Sequence, residues 1–280
     1  MRFTKMQGTG NDFLFVESRD ADERDWEALS RAMCDRHYGA GADGLIVVLP
    51  SERADVRMRL FNADGSEAEV SGNGVRCLVK YAIERGLATP RDGRLRIEAV
   101  HGILEAEASI NSGKVTAVRL SMAPPRFAPN EVPVIAEMEP VIDFPLEVDG
   151  QRFAVTCLSM GNPHAVLFVE EPVESYPLES IGPAVERHAA FPERVNFGVA
   201  QVRSPERMAL RVWERGVGET LACGSGSCAA MVAARLHGRV GDRVDIEQPG
   251  GALTVEWDGH GDVYLSGPAE FVLEGEWPED

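Results

Sequence analysis

Two short segments, 70-VSGNGVRC-77 and 222-ACGSGSC-228, share one design, with Ser71 in the first where Cys223 stands 152 residues further on. Each reads as a glycine-rich turn that opens a helix. The first turn of a helix leaves about four backbone N–H groups without an intrahelical partner and carries roughly half a positive charge. Flanking glycines let another group approach those donors, so such a start can hold a carboxylate. It also lowers a cysteine pKa from about 8.5 to somewhere near 3.5–7.5, so Cys223 is expected to be a thiolate or to exchange a proton readily. If two such starts met in one cleft, residues 71 and 223 would confront each other. That geometry suits a racemase or epimerase, in which one group removes a proton from an α-carbon and another returns one to the opposite face without a cofactor. N–H donors at the two starts would stabilise the carboxylate as negative charge develops.

The elements that position these starts come as an internal repeat. In chain order, 10-GNDFLFVE-17 resembles 161-GNPHAVLFVE-170, and 71-SGNGVRCLVKYAIERG-86 matches 223-CGSGSCAAMVAARLHG-238 without a gap. Further on, 97-IEAVHG-102 matches 246-IEQPGG-251, and 118-VRLSMAP-124 resembles 263-VYLSGP-268. Four matches in register predict two fused homologous halves, 1–122 and 123–267, joined through 123–145, which holds six prolines. That join reads as a linker or a long crossing strand. Segments 45–50, 57–61, 95–100, 103–110 and 115–122 read as strands, the later ones forming a meander with turns at His101-Gly102 and 111-NSGK-114. Helical spacing of Val75, Leu78, Val79, Ala82 and Ile83 predicts a helix over 73–85 stopped by Gly86, and its counterpart runs over 225–237 to Gly238. The run 229-AAMVAA-234 is apolar on nearly every side, as in a helix enclosed by sheet. The expected fold is therefore α+β, two pseudo-symmetric halves that each wrap a mainly antiparallel sheet around a central helix.

Composition narrows the function classes. A formal net charge of −17 argues against a nucleic-acid partner, and no run of uncharged apolar residues suggests a membrane span. Met1 is followed by Arg2-Phe3-Thr4-Lys5 with no apolar leader, which reads as a cytoplasmic protein. Five cysteines with no C-x-x-C pair suggest neither a disulfide framework nor a zinc site, and no metal is expected. Lys5, Lys80 and Lys114 are the chain's lysines, none in a context suggesting a Schiff base, so no cofactor is expected either. The partner is then a small molecule.

Five blocks, 6-MQGTGNDF-13, 61-FNADGSEAEVSGNGVRC-77, 160-MGNPH-164, 192-PERVN-196 and 213-WERGVGETLACGSGSCAA-230, carry a resemblance to the diaminopimelate epimerase family. These enzymes interconvert LL- and meso-diaminopimelate without a cofactor. The resemblance implies catalysis by Cys223 and by residue 71, and a homodimer. It also implies that residues 268–280 return to the first half. Asn11, Asn62, Asn73, Asn162, Asn196, Glu214 and Arg215 should grip the substrate, with Gly72, Gly224 and Ser225 in the helix-start cradles. The chemistry agrees, since Glu214 can pair an ammonium and Arg215 can clamp a carboxylate. His164 stands either as a substrate contact or as a loop cap.

The family pattern has cysteine at both helix starts, and this chain has Ser71 at one. An alcohol is a far weaker acid than a thiol, and a well-matched acid or base is worth roughly 10²–10⁴-fold. Three accounts stand open. Ser71 is a substitution introduced to trap substrate or block a disulfide, or a natural residue relaying a proton itself or through water. Otherwise the protein has left epimerisation for a one-sided reaction such as elimination or isomerisation, with only Cys223 as base; a racemase of another amino acid on the same scaffold is a further alternative. A non-catalytic amino-acid-binding protein is the alternative of another class, and selective alkylation of Cys223 by iodoacetamide would argue against it. Cys34, Cys77, Cys157 and Cys228 read as buried small hydrophobes, and Glu69 and Asp12 as possible site neighbours.

Overall fold

In the computed structural model, residues 1–20, 24–68, 71–100 and 102–278 are described. Glu69 and His101, singled out above, lie outside them. The chain divides into two compact units, Met1–Leu120 with Ser266–Asp280, and Ser121–Leu265.

In the first unit, β1 (Arg2–Gly8) and β2 (Asn11–Glu17) form a hairpin, and α1 (Trp26–Cys34) carries the chain over to β3 (Gly44–Leu49), which lies parallel to β2 with Phe13 beside Gly44. A parallel neighbour requires such a crossover. β4 (Val56–Asn62) pairs antiparallel to β3, and the short β5 (Glu67–Ala68) folds back on β4 just before α2 (Gly72–Glu84). β6 (Arg94–Ala99) lies parallel to β4 and starts the meander β6, β7 (Gly102–Asn111) and β8 (Lys114–Ser121). A last strand, Glu270–Glu276, pairs antiparallel with β1.

Alternation along the strands sorts side chains to two faces. Phe13, Phe15 and Ile46 pack with Val75, Leu78, Val79 and Ala82 of α2, whereas Leu14, Val16, Leu45 and Val47 pack with Trp26 and Met33 of α1. Burying each such side chain stabilises the fold by roughly 1.5–3 kcal/mol. The helix thus has sheet against it over most of its length, with ten of its residues from Asn73 to Ala82 buried.

The second unit repeats the plan. β9 (Val141–Val148) and β10 (Gln151–Ser159) pair antiparallel, and β10 pairs with β11 (Pro163–Phe168). Helix α3 (Leu178–Glu186) then crosses to β12 (Asn196–Ser204), parallel to β11 with His164 beside Asn196. β13 (Arg207–Glu214) and β14 (Gly218–Thr220) stand where β4 and β5 stand in the first unit. They lead into α4 (Gly224–Leu236), and β15 (Arg243–Gln248) and β16 (Gly251–Glu256) follow. Every residue of α4 from Gly226 to Ala234 is buried, among Leu158, Val166, Leu210, Ile246 and Leu253.

Both central helices end as expected, with Gly86 at φ +71° and Gly238 at φ +66°, a left-handed conformation in which glycine meets no Cβ penalty. The segment 123–145, expected as a linker or a long crossing strand, is strand only at its end. Its last part, from Val141, is strand β9 despite Pro145, which the outer strand of the β9–β10 pair tolerates. Helices α1 and α3 were not expected from the sequence. Both are nine residues long, and α3 holds Pro183, so neither shows a long periodic run.

Candidate active site

The two helix starts are built alike. Ser71 caps α2 in extended backbone (φ −127°, ψ 122°) and its side chain accepts from Gly74 N at 3.2 Å; Cys223 caps α4 (φ −125°, ψ 114°) and its Sγ accepts from Gly226 N at 3.4 Å. Each side chain thereby satisfies one of the orphan donors of its first turn. Gly226 suits a close approach, because a Cβ there would sit 3.0 Å from Val212 Cγ2 and 3.2 Å from the Cys223 sulfur, tight enough that these neighbours would have to shift.

At the second start, Cys223 Sγ donates to Glu214 Oε2 at 3.1 Å, and Glu214 Oε1 accepts from Thr220 Oγ1 at 2.5 Å. The β13–β14 hairpin therefore delivers a carboxylate directly to the thiol. Ser225 Oγ lies 3.6 Å from the same sulfur. Behind it, Gln248 accepts from Cys223 N at 2.9 Å and donates to Ser227 Oγ, which donates to the Cys223 carbonyl.

Of the two expectations for Cys223, a thiolate or a readily exchanged proton, this geometry argues against the first. Burial pushes the Cys223 thiol well above its ordinary pKa and the Glu214 charge pushes it further, against weaker opposite pulls from Ser225 and Gly226. Cys223 is a protonated thiol in the free protein, a proton donor with a carboxylate beside it. Slow alkylation is then the expected behaviour of an intact site, so labelling rate alone no longer separates enzyme from binder. Glu214→Gln removes the charge that raises the thiol. Alkylation of Cys223 by iodoacetamide, mapped by mass spectrometry, is expected to begin at lower pH in that variant, and an unchanged profile would contradict the Glu214 contact.

Arg215 follows Glu214 directly. Its backbone N donates to Asn196 Oδ1 at 2.9 Å, and Asn196 Nδ2 donates to the Pro163 carbonyl, tying the hairpin to the 161-GNPH-164 turn. One guanidinium donor goes to the Glu193 carbonyl at 2.9 Å. Glu186, buried at the end of α3, accepts from Trp213 Nε1 at 2.8 Å and from Gly216 N at 3.0 Å, gripping the residues on either side of the Glu214-Arg215 pair. His164 Nε2 pairs with Asn162 Oδ1 at 2.9 Å.

Burial, together with the Arg215 charge, lowers the His164 pKa to about 3, so the ring is neutral in the fold. An unfolded histidine titrates near 6.5, so between these values the unfolded chain binds the extra proton and stability falls as pH falls. His164→Gln is expected to remove about 2 kcal/mol of the stability lost between pH 7 and pH 5. Urea midpoints at the two pH values check this; identical pH dependence in both proteins would contradict it.

At the first start, Asn73 is buried; its Nδ2 donates to Asn11 Oδ1 at 3.1 Å, and Asn11 Nδ2 donates to Asp43 Oδ2 at 2.7 Å. Asp12 faces Arg36 and Lys5 at 2.8 Å each; burial alone would raise its pKa, but the two cations hold it below the usual value. Asn62 does not join this set; its exposed side chain donates to Ser66 Oγ at 2.9 Å.

Cys34, Cys77, Cys157 and Cys228 are all buried, and burial raises their thiols to about 11, 12, 12 and 12. Sequence reasoning missed Thr220, Gln248 and Glu186. Gln248 lies in a block of the internal repeat and Thr220 in a block that carries the family resemblance, whereas Glu186 lies in neither. Among the described residues no group of three or more His, Cys, Asp or Glu side chains is arranged for a metal ion, and no helix is long and apolar enough to cross a membrane.

The fold matches a PhzF-family phenazine biosynthesis protein from Bacillus anthracis (TM-score 0.73, 21% identity, covering 100% of this chain and 99% of that one). It also matches a probable proline racemase from Agrobacterium radiobacter K84 (TM-score 0.70, 16% identity, covering 100% and 93%). At these identities the likeness defines the fold, the one shared by PhzF and proline-racemase proteins. Sequence goes further. A diaminopimelate epimerase from Pelotomaculum thermopropionicum is 46% identical over 280 residues, covering 99% of each chain, and one from Desulfitobacterium hafniense is 46% identical over 283 residues, covering 100% of this chain and 99% of the relative. The profile of the family described as diaminopimelate epimerase matches residues 3–128 and 156–272. The chain belongs to the diaminopimelate epimerase family.

Proposed function

We propose that the protein epimerises LL-diaminopimelate to meso-diaminopimelate without a cofactor, with Cys223 and Ser71 acting on opposite faces of one α-carbon. The observation that carries this reading is the buried thiol at the start of α4, 3.1 Å from the Glu214 carboxylate, matched by a serine cap of nearly the same backbone geometry at the start of α2.

The steps follow from these groups. Glu214 takes the Cys223 proton, the thiolate removes the α-proton, and a planar carbanion forms while its carboxylate is held by first-turn N–H donors. Ser71 Oγ then gives its proton to the other face; solvent returns a proton to the Ser71 oxygen and takes the one held by Glu214, which restores the starting state. Donation suits serine better than abstraction, because its alkoxide is unstable at neutral pH whereas the carbanion is a still stronger base. Gly72, Gly224 and Ser225 form the cradles, and Asn11, Asn73, Asn162, Asn196, Glu214 and Arg215 bind the two amino-acid ends; Asn62, expected with them from the resemblance, would have to exchange its Ser66 partner for substrate. His164, neutral and paired with Asn162, orients that asparagine. On the family resemblance the enzyme works as a cytoplasmic homodimer in lysine and peptidoglycan precursor synthesis.

Incubation of the purified protein with LL-diaminopimelate, followed by separation of the isomers, tests the assignment. Growth of the meso isomer is expected, unaffected by hydroxylamine; a substrate left wholly as the LL form would refute it.

A further inference from the structure

Arg76, one turn along α2 from Asn73, is among the largest fully buried side chains of the protein. It donates from Nε to the Pro268 carbonyl at 3.2 Å, from Nη1 to Asn73 Oδ1 at 2.8 Å and from Nη2 to Thr9 Oγ1 at 3.2 Å. All three acceptors are neutral, and among the described residues no Asp or Glu pairs with it. Burial lowers its pKa only to about 10, so it stays charged at neutral pH. An ion taken out of water without an opposite charge is costly to a fold. At the equivalent place in α4 stands Cys228, and the charge beside that helix start is the carboxylate of Glu214. The two otherwise matching starts therefore differ in sign.

A guanidinium can only donate, so Arg76 decides which way the Asn73 carboxamide faces. Its oxygen turns to Arg76 and its NH₂ turns to Asn11. We propose that Arg76 is a positioning residue for the reaction: it fixes the Asn73 carboxamide for substrate, and the counter-charge it lacks in the free protein is a carboxylate of the bound substrate. This rests on the function proposed above. A permanent carboxylate in that place should then stabilise the fold and displace the ligand.

The test compares thermal unfolding and calorimetric titration with meso-diaminopimelate for the wild type, Arg76→Lys, Asn73→Asp and the double variant Asn73→Asp with Arg76→Met. Arg76→Lys keeps the charge but not the fixed fork of donors, and is expected to weaken binding about tenfold while lowering kcat less than threefold. Asn73→Asp is expected to raise Tm by about 3 °C and to weaken binding at least about 100-fold. In the Arg76→Met background the same substitution is expected to lower Tm, which separates pairing with the guanidinium from the general benefit of an acidic residue in a first helical turn. Binding by Arg76→Lys equal to wild type, or an equal Tm gain with and without the guanidinium, would overturn the proposal. Failure of the wild type to bind meso-diaminopimelate would sink the functional reading instead, and the Tm coupling would still decide whether Arg76 lacks a counter-charge.

Discussion

Replacing Cys223 by serine is expected to lower kcat for LL-diaminopimelate by about 10³-fold while changing KM less than threefold. The argument is local to the start of α4. Sγ donates a hydrogen bond to Glu214 at 3.1 Å and accepts one from Gly226 N; in the proposed mechanism this sulfur is the reacting atom and contributes little to holding the substrate. Serine would keep the cap, since hydroxyl oxygens are among the best acceptors for first-turn N–H groups. Tm is therefore expected to stay within a few degrees of wild type. A variant that keeps more than a tenth of the wild-type kcat would show that Cys223 is not the acid and base on its face of the α-carbon. A large fall in Tm would instead show that the cysteine's main work is packing.

Ser71→Cys is expected to act in the opposite direction, raising kcat by about 10²-fold. The cap geometry is already that of the cysteine-capped helix: φ and ψ differ by only a few degrees between −127°, 122° at Ser71 and −125°, 114° at Cys223. A thiol placed there would accept from Gly74 N as Cys223 accepts from Gly226 N. A thiol is ordinarily far more acidic than an alcohol, so both donation and abstraction come within reach, whereas the serine hydroxyl only donates with ease. The gain should appear in kcat rather than KM, measured by following meso-diaminopimelate formation. An unchanged or lower kcat would mean that proton return at this start is not limited by the acidity of residue 71.

Much of this was legible in the sequence because the chain states it twice. The central helices showed in the spacing of Val75, Leu78, Val79 and Ala82 and in the unbroken apolar run after Cys228, and both glycine stops fell where expected. Helices α1 and α3 did not show. They lie on the outer faces of the sheets, where a single stripe such as Trp26, Ser30 and Met33 is enough, and nine residues give that stripe little length to repeat. The two helix starts were legible as motifs, but the state of Cys223 was not. A helix start predicts a depressed thiol pKa, and the opposite shift follows from burial and from Glu214, nine residues earlier in sequence, which the β13–β14 hairpin folds back onto the sulfur. Glu186 and Arg76 were invisible for a related reason. Charged residues in a sequence read as surface until a structure shows them at 3% and 0% exposure.

Proton NMR of LL-diaminopimelate in D₂O with the protein as it stands tests the two-base claim most directly. The account predicts that the meso isomer grows in carrying deuterium at the inverted α-carbon, while the remaining LL substrate keeps its α-proton through the early turnovers. Deuterium washing into the LL substrate with no meso isomer formed would contradict it, because one base would then be removing and returning the proton on the same face and Ser71 would have no part in the chemistry.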